Sequence, residues 1–248
     1  MLGREDVLRL ARARGLRAWQ EEKRYVQALL FYSLRRLPLV AKGGTYLWLF
    51  HGLNRFSEDL DFTQVGEIEP GDLEEVRLSL ELFGVRSTLK VLEDDRFTLT
   101  FRVDARGPLA TSDKDLCRVR VDISRREPLR LPPIQVVLDE PFYGIPIIFL
   151  KGMDLREVLA EKIRAALVRG EARDVYDAWF LIRKGVELDA SILSEKLAFY
   201  GLEWSPSLCG RLTGIGGNWA KVLKPIVFGS VPEFSSVLET VFEALGCT

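Results

Sequence analysis

The sequence predicts an α+β fold, with a sheet-containing half and N-terminal helices over residues 1–150 and a helical half over residues 151–248. Three observations point there. Two segments alternate with a period of two. Arg96–Val103 puts Phe97, Leu99, Phe101 and Val103 on one face, and Cys117–Ser124 does the same with Cys117, Val119, Val121 and Ile123. Four later segments, Asp154–Arg169, Arg173–Lys184, Asp189–Tyr200 and Val231–Leu245, repeat their apolar residues at helical spacing instead. Between residues 39 and 53 a short apolar run, two glycines and a second apolar-faced stretch follow one another, as in a strand, a turn and a helix.

The remaining elements follow in order. Trp19–Leu37 carries Val26, Leu29, Leu30, Ser33, Leu34 and Leu37 at helical spacing, and Pro38 ends it. Leu39-Val40-Ala41-Lys42 is a strand, Thr45–Leu53 a helix and Asp59–Phe62 a second strand. Pro70 opens a helix that runs to about Phe83, as proline does at a first helical position. Ser87–Glu93 is a further strand. Pro128, Pro132, Pro133, Pro141 and Pro146 mark irregular connections and edge structure. Gly214, Gly216 and Gly217 have no strand before them and read as a turn between helices, not a phosphate loop.

Bulk properties narrow the function. Apolar residues make up 47% of the 248 and charged residues 29%, which suits a soluble globular chain. The net charge of −1 excludes a global basic field, so any nucleic-acid contact must come from a local basic patch. Met1–Arg24 lacks the apolar core of a signal peptide, and the apolar stretch near Gly144–Leu150 is far short of the roughly 20 residues a membrane helix needs. A cytoplasmic protein with no membrane contact is expected. Cys117, Cys209 and Cys247 are scattered and odd in number, which predicts isolated thiols in a reducing compartment. Only two Asn and four Gln among abundant charged residues suggest a heat-adapted source.

The chemistry concentrates in two places. In Asp59-Leu60-Asp61-Phe62, period two puts Asp59 and Asp61 on one face of a strand. Adjacent like charges repel, and a divalent metal between them is a natural resolution. Asp122 shares a strand face with Arg118 and Arg120, opposite the apolar residues, so three carboxylates converge if the strands are neighbours. Gly43-Gly44-Thr45 sits between strand and helix, where glycines let backbone N–H groups reach a phosphate. Thr45 can cap that helix or touch a phosphate oxygen. Lys42, Arg55, Arg118 and Arg120 are cations available to an anionic substrate. Taken singly, an Asp-X-Asp or a Gly-Gly-Thr is ordinary turn chemistry, and the order of the two is what carries information. His51, the single histidine, has no partner cluster and reads as structural or exposed; Trp204 and Trp219 read as core or interface.

These residues resemble AbiEii-type nucleotidyltransferases, toxins of type IV toxin–antitoxin systems within the polymerase-beta-like nucleotidyltransferase superfamily. Lys42-Gly43-Gly44-Thr45 and the string from Arg55 through Ser57 to Phe62 carry the likeness. Glu22–Val26, Val121–Ser124, Leu155–Lys162 and Arg173–Asp177 extend it, and the last sixty or so residues match no known pattern. The resemblance implies a polymerase-beta-like core with a mixed sheet, and an enzyme that uses a nucleoside triphosphate with Mg2+ or Mn2+. It implies metal ligation by Asp59, Asp61 and Asp122. Nucleotide binding falls to Gly43, Gly44, Thr45, Arg55 and Ser57, and further catalytic roles to Lys162, Asp174 and Asp177. Its implied acceptor is RNA such as the tRNA 3′ end, and its implied partner a winged-helix antitoxin encoded nearby.

Spacing leaves the later residues open. Lys162 falls within an apolar stripe, either snorkelling or facing a cleft. Asp174 and Asp177 share a helix face, either as salt-bridge partners of residues such as Arg173 or Arg164 or as functional acids. Two other functions fit the same motifs: a non-catalytic nucleotide- or RNA-binding regulator, and a nucleotidyltransferase acting on a protein or small molecule. Acceptor choice is expected to lie in the helical half.

Overall fold

The structure, a computed structural model, describes residues 2–247, the side chain of Pro70 excepted. Ten helices lie in this span: α1 (Arg4–Arg14), α2 (Ala18–Leu34), α3 (Gly43–His51), α4 (Pro70–Leu82), α5 (Leu155–Arg169), α6 (Ala172–Arg183), α7 (Ala190–Ala198), α8 (Gly210–Thr213), α9 (Trp219–Leu223) and α10 (Phe234–Leu245). Seven strands, β1 (Leu39–Lys42), β2 (Leu60–Gln64), β3 (Ser87–Asp94), β4 (Thr98–Ala105), β5 (Cys117–Ser124), β6 (Ile134–Leu138) and β7 (Ile148–Gly152), form one mixed sheet in the order β3-β4-β5-β2-β1-β7-β6.

The chain divides into two compact units. The first holds the sheet with α1–α4: residues up to Gly52, Phe56–Pro128 and Pro133–Gly152. The second holds the helices from Met153 onward together with two short segments of the earlier chain, Leu53–Arg55 and Leu129–Pro132.

In the first unit the period-two pattern sets the layers. Leu99, Phe101 and Val103 of β4 and Val119, Val121 and Ile123 of β5 are all buried, where α2 and α4 cover the sheet. Burying a side chain of this size stabilises by roughly 1.5–3 kcal/mol relative to leaving it in water. Of the alternate residues, Arg102, Arg118 and Arg120 reach solvent, and Thr100 is buried. β2 is antiparallel to β1 and parallel to β5, so the strand carrying Asp61 lies beside the strand carrying Asp122.

In the second unit α5 packs on α6 and α7, and α10 packs on α6 through Val237, Val241 and Leu245. Two helix starts are fixed by aspartates. Asp154 accepts from the Arg156 N–H at 2.9 Å and Asp189 from the Ser191 N–H at 2.9 Å, caps worth about 1 kcal/mol each. Trp219 is buried against Tyr176 and Phe234, and its indole N–H donates to the Pro232 carbonyl at 2.8 Å.

Several local expectations change. Asp59 stands just before β2, which begins at Leu60 and runs on to Gln64. The proline-marked region holds edge structure as expected, in β6, and β7 follows it. β7 had no place in the pattern, because Ile148-Phe149-Leu150 is too short to announce a strand right after Pro146, yet it pairs in parallel with β1 inside the sheet. The helix expected over Trp19–Leu37 is α2, which ends at Leu34, and α1 precedes it and stops at Gly15 in the left-handed region. Cys209 and Cys247 are not isolated thiols: they form a disulfide with Cα atoms 6.2 Å apart, because α10 brings the end of the chain back to residue 209. Their 38-residue separation concealed the pairing. Cys117 is free and buried.

Candidate active site

The glycine turn and the aspartate strand meet directly. Gly43 opens α3 with a φ of 78°, a conformation in which a side chain is strained. It is also crowded, since a Cβ there would lie 2.1 Å from Asp61 Oδ2 and 2.7 Å from Asp61 Cβ. Glycine is thus required twice over, by the backbone angle and by the carboxylate resting on it. Thr45 is fully buried and donates its hydroxyl to the Asp59 carbonyl at 2.5 Å. Its side chain holds the approach to β2 instead of capping α3. Gln27, buried in α2, donates to the carbonyls of Ser57 and Glu58 at 3.0 and 2.8 Å. Spacing gave no hint of Gln27; a polar side chain on the apolar face of α2 was the available signal.

Asp122 completes the group. It is the register partner of Asp61 across the parallel β2–β5 pair. Its Oδ1 accepts from Thr100 Oγ1 at 2.7 Å and from Arg120 Nε at 2.9 Å. Partial burial raises the Asp59 carboxyl above the usual range; Lys23 opposes the shift, and the negative charges of Asp122 and Glu58 add to it.

The sequence matches the family described as the AbiEii nucleotidyl transferase toxin, type IV toxin–antitoxin system, over residues 24–239. The chain belongs to this AbiEii family. It is therefore a nucleotidyltransferase of the type IV toxin group. Among solved structures, the fold is similar to MenT4, a nucleotidyltransferase toxin from Mycobacterium tuberculosis H37Rv, at 19% identity and a TM-score of 0.64, covering 100% of this chain and 89% of that one. JHP933 from Helicobacter pylori is similar at 19% identity and a TM-score of 0.57, covering 92% of this chain and 90% of that one. No protein of curated function matches the sequence.

The residues that likeness to AbiEii proteins assigned to later motifs assemble inside the second unit. Arg55 and Asp177 form a two-pronged ion pair with both contacts at 2.6 Å, buried on both sides. Lys162 Nζ lies 2.8 Å from Asp177 Oδ2 and 3.3 Å from Asp174 Oδ1, and Arg169 holds Asp174 Oδ2 at 2.7 Å. Burial opposes the Asp177 charge, but Arg55 and Lys162 outweigh it and hold the carboxyl below the usual carboxylate range. Burial likewise opposes the Lys162 charge, and Asp177 and Asp174 overcome it. Both aspartates are thus salt-bridge partners, with Arg55, Lys162 and Arg169 in place of Arg173 or Arg164. A second buried network went unread in the sequence. Glu157 Oε2 accepts the N–H groups of Arg130 and Leu131 at 3.0 Å each, and Lys196 lies 2.8 Å from Glu157 and 3.0 Å from Glu161.

A hard divalent cation prefers several carboxylate oxygens. The donor set of Asp59, Asp61 and Asp122 fits that preference, and the raised Asp59 carboxyl fits a site that gains from added positive charge. The set is not preassembled: among the described residues no group of three ligating side chains is arranged around a metal position. The Asp122 carboxylate is engaged instead by Thr100 and Arg120. No helix among the described residues is long and apolar enough to cross a membrane.

Proposed function

We propose that this AbiEii-family enzyme transfers a nucleotidyl group from a nucleoside triphosphate to a hydroxyl of RNA, with the tRNA 3′ end the first acceptor to test. Mg2+ or Mn2+ is its metal. The reading is carried by one juxtaposition: Asp61 beside Asp122 on neighbouring parallel strands, with the Asp61 carboxylate resting on the positive-φ Gly43 that begins α3. A strand acid alone is common. A carboxylate pair at the start of a helix puts metal ligands next to a place where phosphate is favoured.

Asp59, Asp61 and Asp122 would hold the divalent ion, which when bound neutralises triphosphate charge and eases deprotonation of the acceptor hydroxyl. The backbone N–H groups of the first turn of α3, at Gly43 and Gly44, lack partners within the helix and suit phosphate oxygens. Thr45 fixes the Asp59 peptide and Gln27 the Ser57 peptide, and Thr45 and Ser57 would serve the nucleotide from these held positions. Asp177 holds Arg55, and Lys162 joins Asp177 to Asp174, so the three would act by fixing the Arg55 guanidinium. The sheet unit performs the chemistry in the cytoplasm, and a winged-helix antitoxin encoded nearby counters the toxin.

The test is transfer of label from each of the four α-labelled nucleotides to total RNA, with Mg2+ or Mn2+ present. Labelled RNA is expected with at least one nucleotide, and Asp59→Ala should abolish it while the melting transition survives. Label on protein alone, or on nothing under any metal, overturns the RNA reading.

A further inference from the structure

The open face of the sheet beside the three carboxylates carries cations in cross-strand rows. Lys90 of β3 pairs in register with Arg102 of β4, and Arg102 with Arg120 of β5. Arg120 is two positions before Asp122 on the same strand face and lies near Asp59, whose charge acts on it. The row Lys90–Arg102–Arg120 therefore runs across three strands and ends at the carboxylates. Arg118 stands in the next row on the same face. All four project from the side opposite the buried Leu99, Phe101, Val103, Val119 and Val121. Arg118 is 52%, Arg120 50% and Arg102 36% exposed, so these side chains reach solvent. Lys90 is exposed as well.

Acids face the row as well. Asp104 holds Arg102 at 2.7 Å and approaches Arg118 at 3.6 Å, Glu93 pairs in register with Thr100, and Asp122 holds Arg120 at 2.9 Å. Glu93, Asp104 and Asp122 set against the four cations still leave one positive charge over on these rows. This occurs on a chain whose net charge is −1, so the surplus is local and not a reflection of bulk composition. Strands lie about 4.8 Å apart, so the row spans roughly 10 Å, the reach of about two consecutive backbone phosphates.

We propose that Lys90, Arg102, Arg118 and Arg120 form the track that binds the sugar–phosphate backbone of an RNA acceptor and leads its terminal hydroxyl to Asp59, Asp61 and Asp122. The inference rests on the RNA reading above and moves acceptor recognition from the helical half, where the sequence suggested it, to the sheet. The contacts are to phosphate, so the track sets affinity and register, not base sequence. Arg120 has a second part in it: its bond to Asp122 joins the track to the metal-ligating set.

The decisive measurement is binding of a fluorescent RNA hairpin with a free 3′-hydroxyl, without nucleotide, to the intact protein across a salt series. Lys90→Gln/Arg102→Gln is compared with wild type and with Arg102→Lys, which keeps the charge. The double variant should bind roughly tenfold more weakly, with a salt slope shallower by about one for each phosphate it no longer neutralises. Arg102→Lys should retain most of the affinity. In the transfer assay the same double variant should raise KM for RNA and leave KM for the nucleotide unchanged. Equal RNA affinity and salt slope in wild type and double variant overturn the track while leaving transfer to RNA intact. An affinity for Arg102→Lys as weak as that of the double variant also overturns it, because charge would then not be the cause. Binding of an acidic protein, with no salt-dependent RNA binding by wild type, overturns both the track and the RNA reading.

Discussion

Replacing Gly43 by alanine tests the link between the turn and the carboxylates. Two costs are superposed at this position. A φ of 78° is unfavourable for any L side chain by about 1–2 kcal/mol. The new Cβ would also lie 2.1 Å from Asp61 Oδ2 and 2.7 Å from Asp61 Cβ, so Asp61 or the turn must move; overpacking of this kind costs about 1–3 kcal/mol. Gly52, at the other end of the same helix, separates the two. Its φ is 79°, and an added Cβ meets nothing within 4 Å. Gly52→Ala should therefore show the backbone cost alone, and Gly43→Ala that cost plus the displacement of Asp61. At roughly 2–4 °C per kcal/mol for a chain of this size, the second variant should melt several degrees below the first. Urea unfolding supplies the free energies and nucleotidyl transfer the functional arm. Gly43→Ala should lose transfer, whereas Gly52→Ala keeps it when assayed below its melting point. Equal stabilities for the two variants, with transfer retained in both, would refute the claim that the turn exists to seat Asp61.

Other expectations follow from the charges and the disulfide. Asp59→Asn should abolish transfer yet melt higher than wild type at pH 7, because the folded carboxyl is raised: its favourable contribution is present below about pH 4 and lost as pH rises through the folded value. Melts at several pH values check this, and the gain should vanish in acid, where the wild-type side chain is also neutral. Asp177 has the opposite sign. Its folded carboxyl is depressed, so its contribution is present above the unfolded value near about 4 and disappears as pH falls through the folded one. Asp177→Asn should cost about 3–5 kcal/mol in urea unfolding at neutral pH, since it leaves Arg55 and Lys162 buried with too little counter-charge. Reducing the Cys209–Cys247 bond should lower stability by about 4 kcal/mol for a loop of this length, read as a melt with and without reductant.

The sheet strands with clean alternation, β4 and β5, were readable because each has one buried face, and a one-residue slip would expose it. β1 was readable as well, bounded by Pro38 and Gly43. β7 was not, because its place between β1 and β6 is set by tertiary pairing and its five residues carry no period of their own. At the site, the sequence supplied the residue types and their order. It could not supply the register that puts Asp61 beside Asp122, or the role of Thr45, whose hydroxyl turns from the helix toward the Asp59 peptide. The roles of Thr100 and Gln27 could not be read for a related reason: their partners are 22 and about 30 residues away.

The Arg55–Asp177 pair joins residues 122 positions apart, and this bears on the order in which the chain can mature. During synthesis the glycine turn and all three carboxylates are made well before α6. Until residue 177 emerges, the Arg55 guanidinium lacks its two-pronged carboxylate partner, and the segment Leu53–Arg55 has not yet found its place among the later helices. Closing a loop of that length is an entropic step that only a chain extended past residue 177 can take. A fragment ending before α6 would then carry every proposed metal ligand and yet leave Arg55 without Asp177.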